Sequence, residues 1–194
     1  EALAHDLPGV RAAAAELGYP VGLKVCGPSV AHKTELGLIA LDLKSEPQLD
    51  AACARLAAGG LPAGGGFLVQ EMVRGDRELV VGMVRDPGFG PCVMLGLGGV
   101  LAEALADVCF RPAPLGAGDT AAMAAQLRGA RLLGAFRGQP AVDTALLARC
   151  LEAVGRIGLD HPEILAIDVN PMVVAGGQPV AVDALVTLAG PPQA

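Results

Sequence analysis

Apolar positions along the chain recur with two spacings, every second residue or every third to fourth, and so mark out strands and helices in alternation. The first helical stripe covers 8–17, with Pro8 in its first turn and Gly18 as its stop. After Gly18-Tyr19-Pro20 the spacing changes, and Val21, Leu23 and Val25 share one face of a strand. A polar, glycine-bounded loop over 27–37 leads to a second strand at 38–43. Ser45 with Gln48 forms a capping box for a helix reaching about residue 58, with Leu49, Cys53 and Leu56 on its inner stripe.

Beyond the glycines at 59–60 and 64–66, further strands are predicted at 67–72, 79–84 and 92–97. Asp86-Pro87-Gly88 joins the last two as a turn. Asp119 caps a helix to about Gly129, and 129–142 reads as a long surface loop. Asp143 caps another helix to Ile157, with Leu147, Cys150, Leu151, Val154 and Ile157 at helical spacing. Strands at 164–169, 172–175 and 179–188 close the chain. Strands and helices alternate without strict βα order, so the fold class is α+β, a mixed α/β arrangement. A lobe boundary falls after Met72, giving lobes over 1–72 and 73–190 and a linker-like tail at 191–194.

Composition narrows the function classes. The longest uncharged run, 87–102, is shorter than the roughly 20 residues a membrane-spanning helix needs, and glycines and Pro91 interrupt it. A net charge of −6, no tryptophan, one tyrosine and four phenylalanines argue against a nucleic-acid partner, which needs a cationic footprint and stacking aromatics. The five cysteines are widely spaced and form no CxxC pair, so they read as reduced core residues of a cytoplasmic protein.

Several positions could carry chemistry. Lys24 sits inside an apolar strand, on the face opposite Val21, Leu23 and Val25; it either meets water or is aimed into a cleft where an anion such as phosphate satisfies it. His32-Lys33 lies in the polar loop, where His32 is either a surface histidine or a nucleophile kept neutral by the adjacent lysine. The closing hairpin says more. With Gly176-Gly177 as a two-residue turn, Ala175 pairs with Gln178, and the same register sets Asn170 opposite Asp183. Asp168 falls on the same face as Asn170. Two carboxylates and an amide oxygen match the hard ligands of Mg²⁺, although a polar solvent face has the same pattern. Glu71 and Glu78 flank the 73–77 turn, and Gly98-Gly99 precedes Glu103, Asp107 and Arg111.

Taken together, these segments resemble the ATP-grasp domain of the NDP-forming acyl-CoA synthetases, the group that includes ADP-forming acetyl-CoA synthetase. The resemblance is carried in order by 18–25 (GYPVGLKV), 29–34 (SVAHKT), 69–73 (VQEMV), 77–82, 89–94, 96–99 (GLGG), 110–115, 162–164, 168–171 (DVNP) and 181–184 (AVDA). It implies an ATP-grasp fold holding ATP or ADP between two α+β lobes. By position, Lys24 would contact phosphates, while Glu71, Met72 and Val73 would meet the base and Glu78 the ribose region. Asn170 and Asp183 would bind Mg²⁺ with Asp168 alongside, and His32 would be the phosphorylatable histidine that relays phosphate to a CoA-ligase part.

The chain departs from the family at Gly22, where a larger aliphatic residue is usual, and at Glu35, where aspartate is usual. By the resemblance, the family's opening helix and strand and its CoA-binding and ligase domains are expected to lie outside this sequence. It is therefore expected to act as a nucleotide-binding module of an acid–thiol ligase, with those domains as partners in a larger oligomer. The alternative from a different class is a regulatory ATP-grasp region fused to a protein lysine acetyltransferase.

Overall fold

The computed structural model describes residues 1–27, 37–99 and 106–190. The chain divides into two compact units, Glu1–Met72 and Val73–Ala194, each a mixed α/β arrangement built on antiparallel pairing.

In the first unit, β1 (Ala2–Ala4) precedes α1 (Leu7–Leu17), β2 (Val21–Cys26), β3 (Ile39–Leu43), α2 (Glu46–Ala57) and β4 (Gly66–Glu71). The sheet order is β1-β4-β2-β3, which makes β2 an interior strand. Val21, Leu23 and Val25 point with Phe67 and Val69 toward Val10, Ala13 and Ala14 of α1 and the Leu49, Ala52, Cys53 and Leu56 stripe of α2. The α1 cap is Asp6, whose carboxylate accepts from the Gly9 N–H at 2.8 Å. The expected Ser45–Gln48 box is not formed. Ser45 makes no side-chain cap bond, and the Gln48 amide oxygen reaches one residue further back, to the Lys44 N–H at 2.8 Å.

Val21 pairs with Leu43 but Leu23 pairs with Ala40, so Leu41 and Asp42 together oppose Gly22. This is a β-bulge, and Asp42 takes its left-handed position at φ 56°.

The second unit contains β5 (Arg77–Asp86), β6 (Gly90–Leu97), β7 (Val108–Pro112), α3 (Asp119–Gln126), a 3₁₀ turn (Ala130–Leu133), α4 (Thr144–Asp160), β8 (Ile164–Ala175), β9 (Gln178–Ala181) and β10 (Ala184–Leu188). The sheet runs β10-β8-β5-β6-β7, with β9 also paired to β8. Leu79, Val81, Met83, Val93, Leu95, Ile167 and Val169 face Leu147, Leu151 and Val154 of α4 and Met123 of α3. The strand expected over 179–188 is two strands, and β1 and β7 are additions to the sequence reading.

Helix caps differ in outcome. Asp143 caps α4 as expected, accepting from the Leu146 N–H at 2.9 Å. Asp119 instead lies inside α3 and accepts from the Gly116 N–H at 2.6 Å, while Gly118 holds the cap position. The buried stripe of α4 is also shifted: it passes through Gly155 and Gly158, leaving Ile157 41 % exposed. The glycines let the helix lie directly on the sheet, because a Cβ on Gly158 would stand 2.9 Å from both Met83 and Pro91. The 129–142 segment is not a plain loop, since it holds the 3₁₀ turn and a Phe136–Gln139 bridge.

Candidate functional site

Lys24 lies in the interior strand β2, between Leu68 of β4 and Ile39 of β3. It is 5 % exposed, so of the two sequence readings the water-facing one fails. Burial of an ammonium is costly unless charge or dipole partners meet it. Gln70 opposes Gly22, so Gly22, Lys24, Gln70 and Met72 fall on one face of this sheet, the face away from α1 and α2. Glu71 opposes Val21, at the exposed end of β4.

In the second unit the closing hairpin has the expected register. Ala175 pairs with Gln178, and the same register passes through Met172–Ala181 and on to Val169–Ala184, Asp168–Leu185 and Ala166–Thr187. Asn170 and Asp183 stand opposite each other, and the Asn170 N–H donates to the Asp183 carbonyl at 3.2 Å. Asp168 and Asn170 are exposed on either side of buried Val169, and Asp183 is half-buried. The Asp183 carboxylate accepts from the Ala184 N–H at 3.1 Å.

A second bulge sits here. Against β5, Val169 pairs with Val81 and Met172 with Leu79, so Asn170 and Pro171 together oppose Val80. The bulge moves the core-facing positions from Ile167 and Val169 to Met172 and Val174. Asp168 opposes Gly82, so Asp168 and Glu78 lie on the sheet face away from α4. The Gly98 N–H donates to the Glu78 carbonyl at 2.8 Å, and a Cβ on Gly98 would stand 3.0 Å from that of Glu78. That closeness gives Gly98 its reason. Val73 is half-buried at the start of this unit, and His32 and Glu103 lie outside the described residues. Among the described residues no group of three or more His, Cys, Asp or Glu side chains is placed to hold a metal; the Asn170–Asp183 pair supplies one amide and one carboxylate.

Three polar anchors of the second unit went unrecognised as such in the sequence. Asp107 is 6 % exposed, and its carboxylate accepts from the backbone N–H groups of Arg128 and Gly129, both at 2.8 Å. Burial by itself would raise its pKa, but those two hydrogen bonds and the Arg128 charge hold it below the ordinary carboxylate value. Arg85 donates to the carbonyls of Ile164, Gly158 and His161 at 2.9, 2.6 and 2.9 Å, closing the end of α4. Arg77 donates to the carbonyls of Leu132, Gly134 and Pro140. All three act on backbone groups distant in sequence, which no local motif announces.

The chain belongs to the ATP-grasp domain family, which it matches over residues 1–188. Its curated relatives are ADP-forming acetate–CoA ligases and other CoA ligases, and the chain spans about a quarter of the length of the first of them. It is 40 % identical over 177 residues to ADP-forming acetate–CoA ligase I of Archaeoglobus fulgidus, covering 89 % of this chain and 26 % of that one. It is 36 % identical over 178 residues to the β subunit of ADP-forming acetate–CoA ligase I of Pyrococcus furiosus, covering 89 % of this chain and 77 % of that one.

Among solved structures, the dinucleotide-forming acetyl-coenzyme A synthetase 1 of Ca. Korarchaeum cryptofilum, in complex with coenzyme A and Ca-AMPCP, superposes with a TM-score of 0.88 at 35 % identity, covering 97 % of this chain and 84 % of that one. A second structure of that enzyme contains coenzyme A and Mg-AMPPCP, and its phosphohistidine segment points towards the nucleotide binding site; the TM-score is 0.81 at 36 % identity, covering 95 % and 83 %. No described helix is long and apolar enough to cross a membrane.

Proposed function

We propose that the chain is the nucleotide-binding module of an NDP-forming acyl-CoA synthetase and moves a phosphoryl group between ATP and His32. The observation that carries this reading is the Asn170–Asp183 pair, set opposite each other by an unbroken hairpin register within a family match that spans the chain. The first unit contributes Lys24, whose buried ammonium is suited to phosphate oxygens, and Glu71 and Met72 for the base, with Val73 at the start of the second. The second contributes Glu78 for the ribose, and Asn170 and Asp183 as hard oxygen ligands with Asp168 beside them.

The donor set fits Mg²⁺. One amide oxygen and one carboxylate oxygen leave positions for phosphate oxygens and water, the mode in which this ion is usually held. When bound, Mg²⁺ offsets the negative charge that builds on the phosphates during transfer. Lys24 holds the phosphate chain by charge-assisted hydrogen bonds. Neutral His32 attacks the terminal phosphorus, so a P–N bond forms as the P–O bond to ADP breaks. The phosphoryl group then passes to CoA-binding and ligase domains outside this chain, in a cytoplasmic oligomer. The reducing cytoplasm suits five cysteines that are all free thiols. No observation favours the acetyltransferase-fusion reading.

Incubation with terminally labelled ATP and Mg²⁺ tests the proposal. Acid-labile, alkali-stable label is expected on the parent and lost in His32→Ala; label of the same kind retained by His32→Ala would contradict it.

A further inference from the structure

Two arginines of β5 make the same pattern of contacts at its opposite ends. Arg85 gathers the carbonyls of Gly158, His161 and Ile164, at the end of the sheet where α4 gives way to β8. Arg77 gathers the carbonyls of Leu132, Gly134 and Pro140, at the end where Val173 and Val174 of β8 lead into the closing turn. A planar guanidinium that satisfies three main-chain oxygens holds their chain more firmly than a single contact does. Arg77 therefore fixes the segment that runs from the 3₁₀ turn toward the cap of α4. Gln139 adds a second tie by donating to the carboxylate of Asp76, the neighbour of Arg77.

The segment so fixed lies on the closing hairpin. The Asp143 N–H donates to the Gly177 carbonyl at 2.7 Å, and a Cβ on Gly177 would stand 2.7 Å from the Ala141 carbonyl oxygen. Leu133 and Val142 anchor the segment underneath, in the same core cluster as Val174. The hairpin gains from this support, because its second arm, β9, pairs with β8 alone among the described strands. That arm carries the chain from the turn to Asp183, where the Asn170 N–H meets the Asp183 carbonyl.

We infer that Arg77 is a positioning residue for the divalent cation: by clamping residues 132–140 over the turn, it holds the outer arm of the hairpin so that Asp183 stays in register with Asn170. The inference rests on the reading above, in which that pair takes Mg²⁺. Arg77 touches neither cation nor nucleotide in this role. Its effect belongs in the Mg²⁺ dependence of nucleotide binding and not in the binding of metal-free nucleotide.

Calorimetric titration of the full chain with ADP, with and without Mg²⁺, reads the ratio by which the cation strengthens binding. Lysine keeps the charge but is a point donor that cannot span three carbonyls. Arg77→Lys is expected to reduce the ratio about fivefold, while ADP alone binds as it does to the parent. Gln139→Ala, which cuts the second tie outside the apolar core, is expected to move the ratio the same way by about twofold. Arg85→Lys is the comparison, since it loosens the matching contacts at the other end of β5. Its thermal midpoint is expected to fall and its ratio to equal the parent's. A parental ratio in folded Arg77→Lys, or in Gln139→Ala should Arg77→Lys not fold, would overturn the inference. An equal loss of the ratio in Arg85→Lys would overturn it too, because the sheet as a whole and not the hairpin would then be responsible. A parent whose ADP binding ignores Mg²⁺ would overturn the reading of the Asn170–Asp183 pair itself, and the role of Arg77 with it.

Discussion

Asp107 shows how much one side chain can hold that no motif reveals. Its carboxylate satisfies two consecutive backbone N–H groups from inside the protein, while its own carbonyl accepts from the Leu97 N–H at 3.1 Å. Asp107→Asn keeps the shape but turns an NH₂ toward one of those donors, and it is expected to cost about 2 kcal/mol in urea unfolding. The sign of the pH effect follows from the depressed pKa. The carboxylate's stabilisation is complete above the ordinary aspartate pKa and is lost as pH falls through the lower folded value. The parent's unfolding midpoint should therefore drop faster than that of Asp107→Asn on acidification below about pH 4. Parallel pH profiles would contradict the assignment. Lys24 was legible for a different reason, since a charge inside a run of valine and leucine stands out. Its burial was not, because it depends on β2 lying between two other strands.

The elements were easiest to read where local chemistry fixes them. Gly176 and Gly177 both take positive φ, which makes the two-residue turn and with it the whole hairpin register down to Ala166–Thr187. The bulge at Asn170-Pro171 was invisible, because it is defined by the partner strand β5 and not by the hairpin itself. The α4 stripe was legible at Leu147, Leu151 and Val154 but not at its end. Helical spacing chose Ile157, but packing chose Gly158, where the helix meets Met83 and Pro91. Gly158→Ala sets helix propensity, which favours alanine by about 1 kcal/mol, against overpacking, which costs about 1–3 kcal/mol. Packing should prevail, and thermal unfolding should show Gly158→Ala with a lower midpoint than the parent. A raised midpoint would mean that α4 can move off the sheet at little cost.

At the scale of the molecule, the two units each carry part of the proposed chemistry: a buried cation on one and an amide–carboxylate pair on the other. Ten segments in the family's order made the family legible together, although no one of them is decisive. Residues such as Arg77 and Arg85 were not legible in that way, since the carbonyls they bind are brought to them only by the fold. The division of labour predicts separable defects. Lys24→Met should weaken MgADP at least tenfold whether Mg²⁺ is scarce or saturating, because a charge-assisted phosphate contact is lost, on the order of 1.4 kcal/mol or more. Asp183→Ala should instead remove most of the Mg²⁺ dependence of binding.

The most direct test of the whole account is calorimetric titration of ADP into the parent, Lys24→Met and Asp183→Ala, each with and without Mg²⁺. Mg²⁺-dependent binding by the parent, uniformly weakened in Lys24→Met and no longer strengthened by Mg²⁺ in Asp183→Ala, is the predicted result. A folded parent that gives no binding heat, or two variants that match the parent under both conditions, would contradict it.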